Sequence, residues 1–328
     1  MVPQDVFVAA RSSEWSELDA LLLRGDDLQK LGGRDISRIA ALYRAVCKDV
    51  MRCRAAHYSA DLSAYLDGLA GRAHNVLYSA RASRGGGRAL GLARLVARDF
   101  PRTFRRRARF FALSAALFVI PWVIGQAGAM ASNDFALKVM PAPALEQMAE
   151  AYAQGFADGR ATGADAGMAG FYVYNNVGIA FRCFATGVLF GAGSVFFLVY
   201  NGLVIGTSLG HVIRSGSGGN MLTFICGHAP FELTAIVISG AAGLQMGYAL
   251  VATGGRTRLG SLRSQAREIA HLVLGAALML LIAAVVEGFW SPSAVAAPVK
   301  WAASGLFTLL VVLYFALAGR GPARAEGP

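Results

Sequence analysis

The chain has 328 residues, 55% of them hydrophobic and 16% charged, with a formal net charge of +11 and a mean hydropathy of +0.47. Soluble domains carry about 25% charged residues, so an ordinary soluble globular domain is excluded. The densest basic cluster (Arg98, Arg102, Arg105, Arg106, Arg107 and Arg109) abuts the first long apolar stretch. Membrane proteins place their cytoplasmic anchors there, so a lipid bilayer is the expected partner and nucleic acid is not.

Residues 3–24 alternate apolar and polar side chains at helical spacing, with Phe7, Trp15, Leu18, Leu22 and Leu23 as the inner face. Gly25 and then Gly32-Gly33 break this helix. Asp35 is the expected N-cap of a second helix running to about Ala55, with Ile36, Ile39, Leu42, Tyr43 and Val46 on one stripe. A third spans about Ser59 to Ala80 through Leu62, Tyr65, Leu66, Leu69, Val76 and Leu77. Ser83 to Gly87 reads as a flexible break. Residues 88–99 read as a short basic amphipathic helix, ended by Pro101. The N-terminal 24 residues hold no apolar core, so the first apolar segment is the expected insertion signal.

That segment runs from Phe110 to Met130, about the 20 residues a span needs. Residues 131–170 are polar and mildly acidic, with a helix expected from about Ala144 to Phe156. A second span is expected from Phe171 to Tyr200, ended by a break at Asn201-Gly202. Leu203 to Ile213 is too short to cross and reads as a half-helix. Ser215 to Gly219 is a turn, and Met221 to Ala252 is long enough to cross with tilt. A basic loop over 253–268, a span from Ile269 to Phe289, a loop at Ser291-Pro292 and a last span from Trp301 to Ala318 complete the pattern. Six crossings, counting the half-helix, put every arginine-rich segment on one side, the cytoplasmic side by the positive-inside rule.

The expected fold class is therefore all-α. A helical cytoplasmic domain (1–84) leads through a basic juxtamembrane segment (85–109) into a transmembrane bundle (110–318) and a cytoplasmic tail (319–328). The 131–170 loop is extracytoplasmic. Cys47 and Cys53 fall in the basic half, Cys183 and Cys226 in apolar segments, and no zinc or disulfide spacing occurs. The abundant glycines suit close helix packing in lipid and allow a homodimer.

Several polar groups interrupt the apolar segments: Asn175, Asn176, Arg182, Asn201-Gly202, His228, Glu232 and Glu287. In hydrocarbon such groups are costly unless paired, buried in the bundle or lining a watery cavity. His228 and Glu232 are four apart and share a helix face. Asn175 and Arg182 are seven apart, about two turns, which puts Arg182 roughly 10 Å deeper. Matching depth and opposite charge predict an ion pair from Arg182 to Glu232 or Glu287. His228 and Glu232 alone are too few ligands for zinc. The plain reading of these groups is interhelical glue. No nucleophile–base pair and no nucleotide loop is present, so no cofactor or metal is expected, and a membrane-embedded hydrolase on His228 and Glu232 would need a nucleophile or metal that the sequence does not show. Trp290 and Trp301 fit an interfacial belt.

One pattern of residues is familiar. Phe171-Tyr172-Val173-Tyr174-Asn175-Asn176 is followed by Gly187 and Gly191, Asn201-Gly202 and Gly206. Gly227-His228, Glu232-Leu233 and Glu287-Gly288-Phe289 come next. This order resembles the stage II sporulation protein M family. Trp15-Ser16-Glu17-Leu18, Leu22-Leu23, Leu42-Tyr43-Arg44 and Asp49 are similar to its bacterial branch. The commoner form has Gly where this chain has Ala229, and often Pro at Gly227. The resemblance implies a multi-pass bacterial inner-membrane protein. In endospore formers, members join a complex that remodels septal peptidoglycan, where the membrane member anchors partners; the family also occurs in organisms that make no spores. The leading expectation is a scaffold or membrane subunit that binds other envelope proteins. The rival is a transporter with a polar intramembrane path, supported by the Asn201-Gly202 break and the buried polar groups.

Overall fold

The computed structural model of the protein describes residues 2–24, 33–79, 85–155 and 165–320. The expected breaks at Gly25, Gly32 and Ser83, residues 156–164 of the 131–170 loop and residues 321–328 of the tail lie outside the described residues. All regular structure among the described residues is helical. The chain divides into two compact units, Met1–Leu92 and Ala93–Pro328.

In the first unit, α1 (Gln4–Arg24), α2 (Gly33–Ala55) and α3 (Ala60–Ser79) close around one apolar core. Leu18, Ile39, Leu42, Leu66 and Leu69 are fully buried at its centre, each contributing about 1.5–3 kcal/mol. Leu23 and Ile36, expected inside, are instead exposed. Leu23 lies about 100° around the helix from the buried Leu22, and Ile36 sits in the first turn of α2. Asp35 also lies in that turn rather than capping it, because α2 starts at Gly33. Gln4 clamps the start of α3: its Nε2 donates to Ser59 Oγ at 3.1 Å, and its Oε1 accepts from Ser59 N at 2.9 Å. Ion pairs tie the outer faces: Arg38–Glu17 at 2.6 Å, Arg54–Asp67 at 2.9 Å, and Arg72–Asp19.

α4 (Gly85–Arg94) straddles the division, so Gly85–Gly87 open a helix where a linker was expected. A π-helical turn (Leu95–Asp99) leads into α5 (Phe100–Arg106). Pro101 starts that helix rather than ending its predecessor, since the first turn needs no proline N–H. The bundle then comprises α6 (Ala108–Ala131), α7 (Asn133–Val139), α8 (Ala142–Ala153), α9 (Asp165–Ala185), α10 (Ala192–Arg214), α11 (Gly218–Ile225), α12 (Ala229–Val251), α13 (Arg258–Val285) and α14 (Ala297–Leu317).

Among the described residues, five helices are long and apolar enough to cross a membrane: α6, α10, α12, α13 with its π-helical extension to Trp290, and α14. α9 packs against α10, α12 and α13 and adds a sixth segment. The chain runs up α6, down α9, up α10, down α12, up α13 and down α14. Arg214 at the end of α10 donates to Met130 O at 3.0 Å at the end of α6. Arg105 donates to Phe315 O and Ala318 O at 2.6 and 2.7 Å, bringing the end of α14 back beside α5. One end, the basic end, holds the 98–109 arginines, Arg258 and Arg267; the far end holds α7, α8, α11 and the 291–296 loop. The apolar side chains left exposed on α6 and α14, such as Ile120, Ile124, Leu309 and Val312, suit a lipid surround.

Two expected boundaries move. α10 continues unbroken through Asn201-Gly202, so Leu203 to Ile213 is the second half of a full crossing. Asn201 Nδ2 donates to Phe197 O, one turn earlier, at 2.7 Å, which satisfies its amide within the helix. Gly202, Gly206 and Gly210 form a ridge on which α6 rests; a Cβ on any of them would strike the carbonyl oxygens of Phe118, Trp122 and Gln126. Glycine is there for close approach. The expected 171–200 span is interrupted instead at 186–191, where Phe190 and Gly191 take positive φ of 53° and 89°. The 221–252 span is likewise interrupted at Cys226–His228, where α11 stops and α12 starts. Pro230, in the first turn of α12, favours a helix start there.

Candidate polar site at the far end of the bundle

Three segments bring polar groups together. The turn before α12 delivers His228, and the first turn of α12 delivers Glu232 on the same face. The π-helical turn Val286–Trp290 holds Glu287. The middle of α9 supplies Asn176. His228 Nε2 lies 3.8 Å from Glu232 Oε2 and 3.9 Å from Glu287 Oε1. His228 Nδ1 is 3.0 Å from Ser291 Oγ, so the ring is held from behind with Nε2 facing both carboxylates. Asn176 Nδ2 donates to Glu287 Oε2 at 3.2 Å, and Asn175 Nδ2 donates to Asn176 Oδ1 at 2.9 Å.

The surroundings are tight. The Phe224 ring meets the His228 ring edge-on at 5.6 Å. Gly227 leaves room for Trp290, whose Cδ1 would lie 3.2 Å from an added Cβ. Trp290, at the end of the π-helical turn, therefore packs against Gly227 with its Nε1 buried. His228, Glu287 and Asn176 are buried. One ligand atom from each of His228, Glu232 and Glu287 can be chosen so that all lie within 4.8 Å of one another. A cavity of about 230 Å³, lined among others by Asn220, Phe224, Ser291, Ala294 and Lys300, adjoins this group from the far end.

Of the residues singled out in the sequence, the fold unites Asn176, His228, Glu232 and Glu287, with Asn175 at the rim. It does not bring in Arg182, Asn201 or Gly202. Arg182 is exposed on α9 and donates from Nε to Gly178 O in its own helix at 2.9 Å. It sits six residues, about 9 Å, beyond Asn176 toward the basic end, whereas both carboxylates lie at the far end. The expected ion pair is therefore not formed. Gly202 serves the α6–α10 seam, and the Asn201 amide is spent within α10. The sequence reading missed Ser291 and Lys300, whose Nζ is buried and donates to Ser291 O at 2.8 Å and Ser293 O at 2.7 Å. The signal for Lys300 was a lone cation at the start of an apolar span, where burial demands acceptors.

Residues 108–292, the stretch carrying Asn176, His228, Glu232, Glu287 and Ser291, match the family model described as Stage II sporulation protein M. The chain belongs to the stage II sporulation protein M family. Residues 5–79 separately match a model described as Domain of unknown function (DUF8413), which coincides with the three-helix core of the first unit. Comparison with curated proteins and with solved structures finds no match. As a member of this family with several helices fit to cross a bilayer, the chain is an integral membrane protein.

Proposed function

We propose that this stage II sporulation protein M family member is a scaffold of the bacterial inner membrane, holding envelope-associated partners rather than conducting a solute or catalysing a reaction. One observation carries the choice over a transporter. Between Glu232 and Gln245, α12 is buried through Ala235, Ile236, Val237, Ile238, Ala241 and Ala242. About three helical turns of apolar packing thus separate the far-end polar group from the basic end. Glycine contacts tighten the same interior. A Cβ on Gly187 would strike the carbonyl of Gly243, and one on Gly247 would strike the backbone of Gly191. The buried polar side chains along that stretch are the small hydroxyls of Ser239, Ser114 and Ser194. Those of Ser114 and Ser194 already donate to Val237 O and Cys183 O, so a charged solute meets no charged partner there. The discontinuous span at Asn201-Gly202, which favoured transport in the sequence, is absent.

The arginine-rich end, to which the last crossing also returns, supports a cytoplasmic placement of both termini. The first unit, with its own core and paired charges, is suited to partner binding on that side. The glycine ridges that suggested a homodimer are used in seams within one chain, so the partners are expected to be other proteins. The test is purification from native membranes with cross-linking and mass spectrometry. Stoichiometric partners that disappear when residues 1–92 are deleted support the scaffold. A homo-oligomer with no other protein attached contradicts it.

A further inference from the structure

We propose that His228, Glu232 and Glu287 bind a divalent first-row transition cation, Zn2+ in the first instance, tying the start of α12 to the end of α13. The inference goes beyond the scaffold reading and does not depend on it.

The donors converge from two segments remote in sequence, and their number and type suit zinc: one imidazole nitrogen and two carboxylates. A zinc ion with ligands at about 2.1 Å in tetrahedral array spaces its donors about 3.4 Å apart. The imidazole–carboxylate separations are 3.8 and 3.9 Å and all three donors lie within 4.8 Å of one another, so side-chain rotations of about 1 Å at the donor atoms bring them to that spacing. Calcium and magnesium prefer all-oxygen shells, so the imidazole selects against them.

A second observation points to a ligand independently of the cluster's composition. The His228 side chain is only 6% exposed. Its Nδ1 is occupied by Ser291 Oγ, while Nε2 makes no hydrogen bond among the described residues and is aimed between the carboxylates. The Glu232 carboxylate, 15% exposed, likewise makes no hydrogen bond among the described residues. Buried charges are normally paired or on a metal, and a cation is the group that satisfies the Glu232 carboxylate and His228 Nε2 together. The outer contacts are those of a metal-site support: Ser291 fixes the imidazole by its second nitrogen and Asn176 fixes Glu287. Glu287 sits in a π-helical turn, a distortion often kept at functional sites. The adjoining cavity is lined by Phe224 and Ser291, the two residues that hold the His228 ring.

The experiment is metal analysis of untagged full-length protein purified without chelator. About one equivalent of zinc per chain is expected. It should be absent from Glu232→Gln and Glu287→Gln, and Ser291→Ala should bind about 10- to 100-fold more weakly. Stripping the wild-type protein with a chelator should lower its melting temperature, and added Zn2+ should restore it. This wild-type measurement stands even if a variant fails to fold. Metal retained at full content by both glutamine variants would place it elsewhere and overturn the site. Overturning would also follow from wild-type protein that carries no metal and does not respond to added Zn2+ or Mn2+. Neither result bears on partner recruitment.

Discussion

The two units are stabilised in opposite ways. The three-helix unit buries large side chains and pins its helices with charge pairs such as Arg38–Glu17 and Arg54–Asp67. In the bundle, α6 and α10 approach through Gly202, Gly206 and Gly210, with backbone against backbone. Water rewards burial of bulk, whereas lipid offers no hydrophobic gain for helix association and rewards close fit. Each unit should therefore fail to a different kind of substitution.

The largest effect is expected at Gly206. Gly206→Leu puts a side chain into the Trp122 carbonyl and should abolish folded, monodisperse protein in detergent. Normal elution by size-exclusion chromatography would break the contrast. Next is Asp49, the buried carboxylate of the first unit. It accepts from Trp15 Nε1 and Arg11 Nε, each at 2.9 Å. Asp49→Asn should cost about 2 kcal/mol, read as a lower denaturant midpoint for the first unit with the bundle unaffected.

A smaller effect attaches to Glu17. Its hydrogen bond from Arg38 holds the carboxyl below the ordinary carboxylate value. A lowered folded value means the contribution is present above the unfolded value and is lost as pH falls through the folded one. Glu17→Gln should slightly flatten the decline of first-unit stability below about pH 4.5, and added salt should shrink the difference. The smallest effect is expected at Arg182. Arg182→Met should shift stability by no more than about 0.5 kcal/mol, as thermal unfolding in detergent can show, because its contact is to its own helix. A large loss would revive a pairing with the far-end carboxylates.

Much of this was legible in the chain. The 3.6-residue spacing of Trp15, Leu18 and Leu22 and of Ile39, Leu42 and Val46 identifies the first unit. The apolar runs and flanking arginines give a membrane bundle whose ends meet at one side. What misled was the meaning of glycine. Asn201-Gly202 reads as a break, but Gly202 serves contact with Phe118. The real interruptions, at Phe190-Gly191 and Cys226–His228, carry no stronger local signal; they are set by how α9 and α10 meet α12 and by Pro230. His228, Glu232 and Glu287 were visible as costly polar groups. Their convergence was not, since the π-helical turn that places Glu287 depends on packing. Arg182 was misassigned because spacing along a helix gives depth but not the face turned to a partner.

The central claim is that apolar packing seals the bundle between the far-end polar group and the basic end. The most direct measurement is the reaction of single cysteines with a water-soluble thiol reagent in native membranes, with Cys47, Cys53, Cys183 and Cys226 replaced by serine or alanine. Ala294→Cys, exposed at the far-end cavity, should label quickly, while Ile238→Cys and Ala242→Cys should remain unlabelled. Labelling at Ile238 or Ala242 as fast as at Ala294 would show water along α12 and contradict the account.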